Sequence, residues 1–199
     1  MFLAAVARPQ CDLATGMQFD GKLGIWSFAE QRAAIRDSER RPAGTIETKS
    51  INVTKVTYRK MLLDKLLPAI SVRWPWCVEE GTAIKVQQDN ASPHIPTDDQ
   101  WICAAVGEYG RRVELVFQPP NSPDLNMLDL GLFTAIQARQ RLRMTRDLDE
   151  LIAAVEASYW ELLPATINAC FLTLQATMDK CIQEYGGNAL SQLIRRRLD

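Results

Sequence analysis

Two runs decide the fold: Val86-Gln87-Gln88-Asp89-Asn90-Ala91-Ser92-Pro93-His94, and Gln118-Pro119-Pro120-Asn121-Ser122-Pro123-Asp124-Leu125-Asn126-Met127-Leu128-Asp129-Leu130-Gly131-Leu132-Phe133. In the first, Ile84 and Val86 alternate with polar neighbours, the period of a half-buried strand. Asp89-Asn90 breaks it, because both residues favour turns. An acid at the carboxyl end of a strand in an α/β sheet sits where ligands bind. Ahead of the second run, Val113, Leu115 and Phe117 alternate with Glu114 and Val116, which predicts another strand. Pro119 and Pro120 end it, since proline cannot donate to a ladder.

Ser122-Pro123-Asp124 predicts a helix start. Serine caps, proline is preset for the first helical position, and the acid suits the positive helix end. That accounts structurally for Asp124, which is expected at the helix start, nearer solvent. Asp129 is different. On a helix continuing from Ser122 it shares a face with Leu125, Leu132 and Phe133. An acid on that apolar stripe is expected buried against the sheet, which is costly unless it is paired or binds metal. The alternative is a boundary acid facing water at the stripe's edge.

The pairing of Gln-Asp-Asn-Ala-x-x-His with Pro-Asn-Ser-Pro-Asp-Leu-Asn-x-x-Asp resembles the mariner-type transposases, and more closely their plant and oomycete branch. Further matching segments are Phe2-Leu-Ala-Ala-Val-Ala-Arg-Pro9, Arg41-Pro-Ala-Gly-Thr-Ile-Glu-Thr-Lys49, and Phe171-Leu-Thr-Leu-Gln175 leading to Gly186-Gly-Asn188. The resemblance implies an RNase H-like α/β fold, a mixed sheet flanked by helices, and three acids that hold two Mg²⁺ or Mn²⁺ ions. Asp89 matches the second acid and Asp129 the third, as catalytic and metal-holding residues, with 39 residues between them. Asn90 and His94 fall near that site. His94 is assigned no catalytic role; its bland reading is a hydrogen-bonded loop residue. The implied partners are DNA, at transposon ends and target, and a second copy of the chain in a homodimer. The implied location is the nucleus, without a targeting signal in the chain.

The chemistry explains the carboxylates. Cutting and joining a phosphodiester needs an activated oxygen nucleophile and a stabilised leaving oxygen, and two metal ions about 4 Å apart provide both. Mg²⁺ suits hard oxygen ligands and keeps several waters. In the family one acid bridges the ions, and it lies on the first, central strand of the sheet. In relatives its apolar-Asp-Glu pattern lies upstream of the Phe2 segment, where this sequence shows no such pattern, and Asp12, Asp20 and Asp37 fall in predicted loops. The expectation is therefore a partial catalytic domain over 1–199, lacking that strand, with a core over 1–146 and a C-terminal helical part over 147–199. Without the central strand, the strands at 1–8 and 84–88 are expected to stand apart by about twice the usual 4.8 Å. A direct ladder between them is the alternative.

Two function classes follow: a DNA transposase that is inactive as the chain stands, or a non-catalytic scaffold that binds nucleic acid or protein. Composition agrees with one globular domain, at 199 residues, 47% apolar and 24% charged. A net charge of −1 gives no global basic signature, so any DNA surface is local. Local candidates are Arg40, Arg41 and Lys49 in the polar 29–51 stretch, read as an exposed excursion, and Arg139, Arg141 and Arg143 beyond the acid pair. Their bland reading is solvated charge. Five scattered cysteines and a single histidine argue against a zinc site and fit reduced thiols. No stretch approaches the length of a transmembrane span.

Elsewhere, 1–8 and 22–28 predict a hairpin joined by a loop. Thr54 caps a helix over 55–73 that Pro68 should kink, closed by Trp74-Pro75-Trp76. Thr97-Asp98-Asp99-Gln100 is a capping box. Asp147 and Pro164 begin two more helices, the last with a core stripe of Ile167, Phe171, Leu174, Met178 and Ile182.

Overall fold

The computed structural model describes residues 1–13, 16–39, 41–73, 83–108 and 112–184. The expectations for Trp74-Pro75-Trp76 and Gly186-Gly-Asn188 lie outside the described residues.

The first strands are β1 (Phe2–Val6), β2 (Gln10–Cys11), β3 (Gln18–Phe19) and β4 (Lys22–Ser27). β1 pairs antiparallel with β4, from Phe2 opposite Ser27 to Ala5 opposite Gly24, and the register shifts before Val6 meets Lys22. The predicted hairpin is therefore present. Its connection is not plain loop, because β2 and β3 pair within it. Alternation gives the β1–β4 ladder two apolar faces. Leu3, Ala5, Ala7 and Leu23 join a core with Leu62, Leu66 and Ile70. Phe2, Ala4, Val6 and Ile25 join a second core with Leu132, Ile136, Tyr159 and Ile167.

At the register shift a side chain enters the ladder. The Tyr159 hydroxyl donates to the Ala5 carbonyl at 2.7 Å and accepts from the Gly24 N–H at 3.0 Å. Tyr159 has no solvent exposure, and burial, ahead of nearby charges and hydrogen bonds, holds its phenol proton far above the usual range. The Gly24 position has no room for a side chain: a Cβ there would lie 2.2 Å from the Trp26 ring.

β5 (Ala29–Ala33) and β6 (Ile46–Ser50) form an antiparallel hairpin where an exposed excursion was expected. Both strands are polar, so neither shows a strand's hydrophobic alternation. The register is instead written in opposite charges, with Glu30 facing Lys49 and Arg32 facing Glu47.

Thr54 caps α1 (Lys55–Met61) as expected, accepting from the Thr57 N–H at 3.2 Å. A π-helical turn over Leu62–Leu66 leads into α2 (Leu67–Arg73). Pro68 has no N–H to offer Asp64, and its ring needs room at that carbonyl. The widened turn supplies it, with the Leu67 N–H reaching back to Leu62, and the helix continues. Leu62, Leu66, Leu67 and Ile70 are all buried along this stretch.

β7 (Ile84–Gln88) and β8 (Val113–Phe117) are parallel, with Ile84 beside Val113 and Gln88 beside Phe117. Their crossover contains α3 (Gln100–Glu108), capped by Asp99 rather than Thr97. Asp99 Oδ1 accepts from the Trp101 and Ile102 N–H groups, and its carboxylate takes Nε and Nη2 of Arg59 at 2.7–3.0 Å. An arginine 40 residues upstream selects the cap, which the local capping-box pattern cannot register.

Among the described residues β1 pairs only with β4 and β7 only with β8, so no ladder joins β1 to β7. Both pairs nevertheless rest on the α1–α2 layer through one shared core.

The chain then runs through a 3₁₀ turn (Pro123–Leu125), a π turn (Leu128–Leu132) and α4 (Phe133–Gln140). α5 (Leu148–Trp160) begins at Asp147, which accepts from the Glu150 N–H at 2.8 Å, and α6 (Pro164–Gln183) begins on its proline. The predicted stripe of α6 is core only at its start. Ile167 is fully buried, while Met178 and Ile182 are exposed among the described residues.

Candidate functional site

Asp89 follows β7 directly. Its Oδ1 accepts the Ala91 N–H at 2.8 Å, the turn chemistry expected of Asp-Asn. His94 Nδ1 lies 2.8 Å from that same Oδ1 and 2.8 Å from the Asp89 carbonyl. Both neighbours are acceptors, so the hydrogen-bond network assigns the proton to Nδ1. The His94 ring packs on Tyr58 at 4.4 Å between centroids, and the Tyr58 hydroxyl donates to Gln88 Oε1. Burial and then the Asp89 charge push the Tyr58 phenol well up. These bonds fix one carboxylate oxygen of Asp89; Oδ2 takes no hydrogen bond among the described residues. Asn90, the second predicted neighbour, donates to the Gln118 carbonyl at 2.8 Å and ties the end of β7 to that of β8.

The second acid sits differently from the sequence expectation. No regular helix runs from Ser122, whose side chain makes no cap bond. Asp129 lies in the π turn and is exposed, while Asp124 is half-buried, which reverses the expected order. The cause is Gly131, with φ at +156°, which breaks the helical phase between Asp129 and α4. Leu132 turns fully inward and Asp129 outward. Even so, the carboxyl of Asp129 titrates above the usual range. Partial desolvation by the turn comes first, and the charge of Asp89 second.

Gly131→Ala follows as a test of this geometry. The added Cβ would meet Cys170 Sγ at 3.3 Å in a backbone conformation that L-residues rarely adopt. A loss of about 1–3 kcal/mol is expected, read by denaturant unfolding. An unchanged midpoint would show that the turn does not need this conformation.

Two residues not singled out from sequence hold the turn in place. Gln87 Nε2 donates to the Leu125 carbonyl at 2.8 Å, and Gln118 Nε2 donates to the Ser122 carbonyl. Gln118 is buried, and its Oε1 has no partner among the described residues, a state that costs about 1–3 kcal/mol. The available signal was their position: Gln87 shares strand parity with Asp89, and Gln118 extends β8 beside it.

Hard carboxylate oxygens of like sign suit a hydrated Mg²⁺ or Mn²⁺ ion. Among the described residues no group of three or more Asp, Glu, His or Cys is placed to hold a metal. The open depression of about 760 Å³ between the β2–β3 hairpin and the start of α6 is lined by neither acid.

The basic candidates differ in how far the fold engages them. Arg41 and Lys49 both pair with Glu47, at 2.8 and 2.9 Å. Arg139 bonds back to Ala135 of its own helix. Arg143 clamps α5 through Ser158 and Glu161, both at 2.6 Å. Arg141 is exposed; its N–H donates to the Gln137 carbonyl at 2.9 Å, and its side chain makes no hydrogen bond or ion pair among the described residues. Arg40 lies outside them.

Together these elements make the RNase H-like α/β fold of transposase catalytic domains. Among solved structures the chain is similar to the catalytic domain of Mos1 mariner transposase, with a TM-score of 0.54 at 16% identity, over 72% of this chain and 69% of that one. No protein-family model matches the sequence, and no curated protein matches it.

Proposed function

We propose that this chain is a transposase-type DNA-processing domain of the mariner-like plant and oomycete branch, in which Asp89 and Asp129 hold a single hydrated dication. The observation that supports this reading is geometric: Gln87 and Gln118, at the ends of β7 and β8 beside Asp89, donate to the Leu125 and Ser122 carbonyls of the segment that leads to Asp129. Bound there, Mg²⁺ or Mn²⁺ supplies Lewis-acid stabilisation of phosphodiester oxygens. The protein's part is to orient: the Ala91 N–H and the His94 ring hold Asp89 by one oxygen, and the pinned turn presents Asp129. DNA is the substrate, exposed Arg141 is a backbone contact, and the nucleus is where the reaction belongs.

Two carboxylates are too few to compensate the mutual repulsion of two dications. With Mg²⁺ or Mn²⁺, the chain is therefore expected to leave supercoiled plasmid uncut. Nicking that disappears on Asp129→Ala would overturn that limit. The engagement of Arg41, Lys49 and Arg143 within the fold favours a second reading, a non-catalytic scaffold. DNA affinity separates the two. It rises with Mn²⁺ and responds to Asp89→Asn on the first reading, and is indifferent to both on the second.

A further inference from the structure

We propose that Gln87 and Gln118 are positioning residues: their side-chain amides, donated to the Leu125 and Ser122 carbonyls, set how closely the 3₁₀ segment leading into the π turn of Asp129 lies to Asp89. The inference rests on the acid-pair reading above.

The geometry is specific. β7 and β8 are parallel and in register, and the Gln118 N–H continues their ladder by donating to the Gln88 carbonyl at 2.8 Å. Gln118 therefore lies beside Asp89, and strand alternation puts Gln87, Asp89 and Gln118 on one side of the pair. Gln88 projects to the opposite side, where its amide is spent on Tyr58 and Ile95. One glutamine from each strand thus reaches the same turn, at its first residue and three residues later.

Neither contact is a generic packing bond. Each joins a side chain fixed by the sheet to a main-chain carbonyl of the loop. The loop's own bonds are local, with the Asn126 carbonyl taking the Asp129 and Leu130 N–H groups and Asn126 Oδ1 the Leu128 N–H, while Ser122 makes no cap bond and Gly131 uncouples the turn from α4. Gln118 keeps its donor bond while its Oε1 stays buried and unpaired.

The test uses the full chain and two readouts. Gln87→Met and Gln118→Met keep side-chain length and remove the donor. In metal-free protein, Asp129→Asn should raise the melting midpoint by relieving repulsion from Asp89. A double-mutant cycle should show that gain shrink by at least half in the Gln87→Met/Gln118→Met background. Mn²⁺, measured by electron paramagnetic resonance, should bind at least 10-fold more weakly to the glutamine variants. Gln87 is exposed, so Gln87→Met alone keeps the test open if the double variant fails to fold. Additive melting shifts, or unchanged Mn²⁺ affinity where Asp89→Asn abolishes it, would overturn the positioning role. Mn²⁺ binding indifferent to both Asp89→Asn and Asp129→Asn would instead remove the acid pair, leaving the cycle to decide the positioning role.

Discussion

Tyr159→Phe is expected to destabilise the chain by about 2–3 kcal/mol, because it strands a buried N–H and a half-buried carbonyl at once. In the folded protein the hydroxyl completes the β1–β4 ladder where the register shifts, bridging the Gly24 N–H to the Ala5 carbonyl. The ring can stay in place, so packing is largely kept and the loss reports the two hydrogen bonds. For a domain of this size, the melting midpoint should fall by roughly 5–10 °C. Amide exchange at Gly24 should accelerate together with this fall. A shift within about 1 °C would mean that β1 and β4 re-pair directly and that the hydroxyl is dispensable. The same bond makes α5 part of the sheet's integrity, since one residue of that helix closes the first ladder.

The second large effect concerns Asp99. Its carboxylate caps α3 and takes two nitrogens of Arg59, which joins the crossover helix to α1. Asp99→Ala removes a cap worth about 1 kcal/mol and a charge-assisted bond worth about 1.5–3 kcal/mol. A loss of about 2–3 kcal/mol is expected, after allowance for the partial exposure of Arg59. The pH dependence has a definite sign. Burial alone would raise the Asp99 carboxyl, but the Arg59 bond and the Ile102 and Trp101 N–H groups more than offset it, and the net shift is downward. A carboxyl lowered in the folded state contributes its full stability above the unfolded value, about 3.9. That contribution is lost as pH falls through the lower folded value. Wild-type stability should therefore fall toward that of Asp99→Ala only below about pH 4. A gap between the two that stays constant down to pH 2 would contradict this assignment.

Local signals made much of the architecture legible. Thr54, Asp147 and Pro164 start helices where their chemistry says they should, and alternation located β1, β4, β7 and β8. Asp89 could be placed because a strand ending in Asp-Asn needs only local rules. What failed depends on distant partners or on backbone freedom. The β5–β6 hairpin is polar on both strands, so its register lies in charges that face each other only once it has folded. The cap of α3 moved to Asp99 because Arg59 pairs with it. Asp129 was expected inward on a continuous helix, but Gly131 breaks the phase, and two glutamines from the sheet hold the turn instead. Even the charge coupling between the acids required the fold, since 39 residues separate them in sequence.

On the proposed reading, Asp89 and Asp129 form one dication site on this α/β frame. Mn²⁺ stoichiometry on metal-free protein, read by electron paramagnetic resonance, tests it most directly. The expected result is one ion per chain in the wild type, lost in Asp89→Asn and again in Asp129→Asn, while both variants stay folded. Two ions per chain, or binding that survives both substitutions, would contradict it.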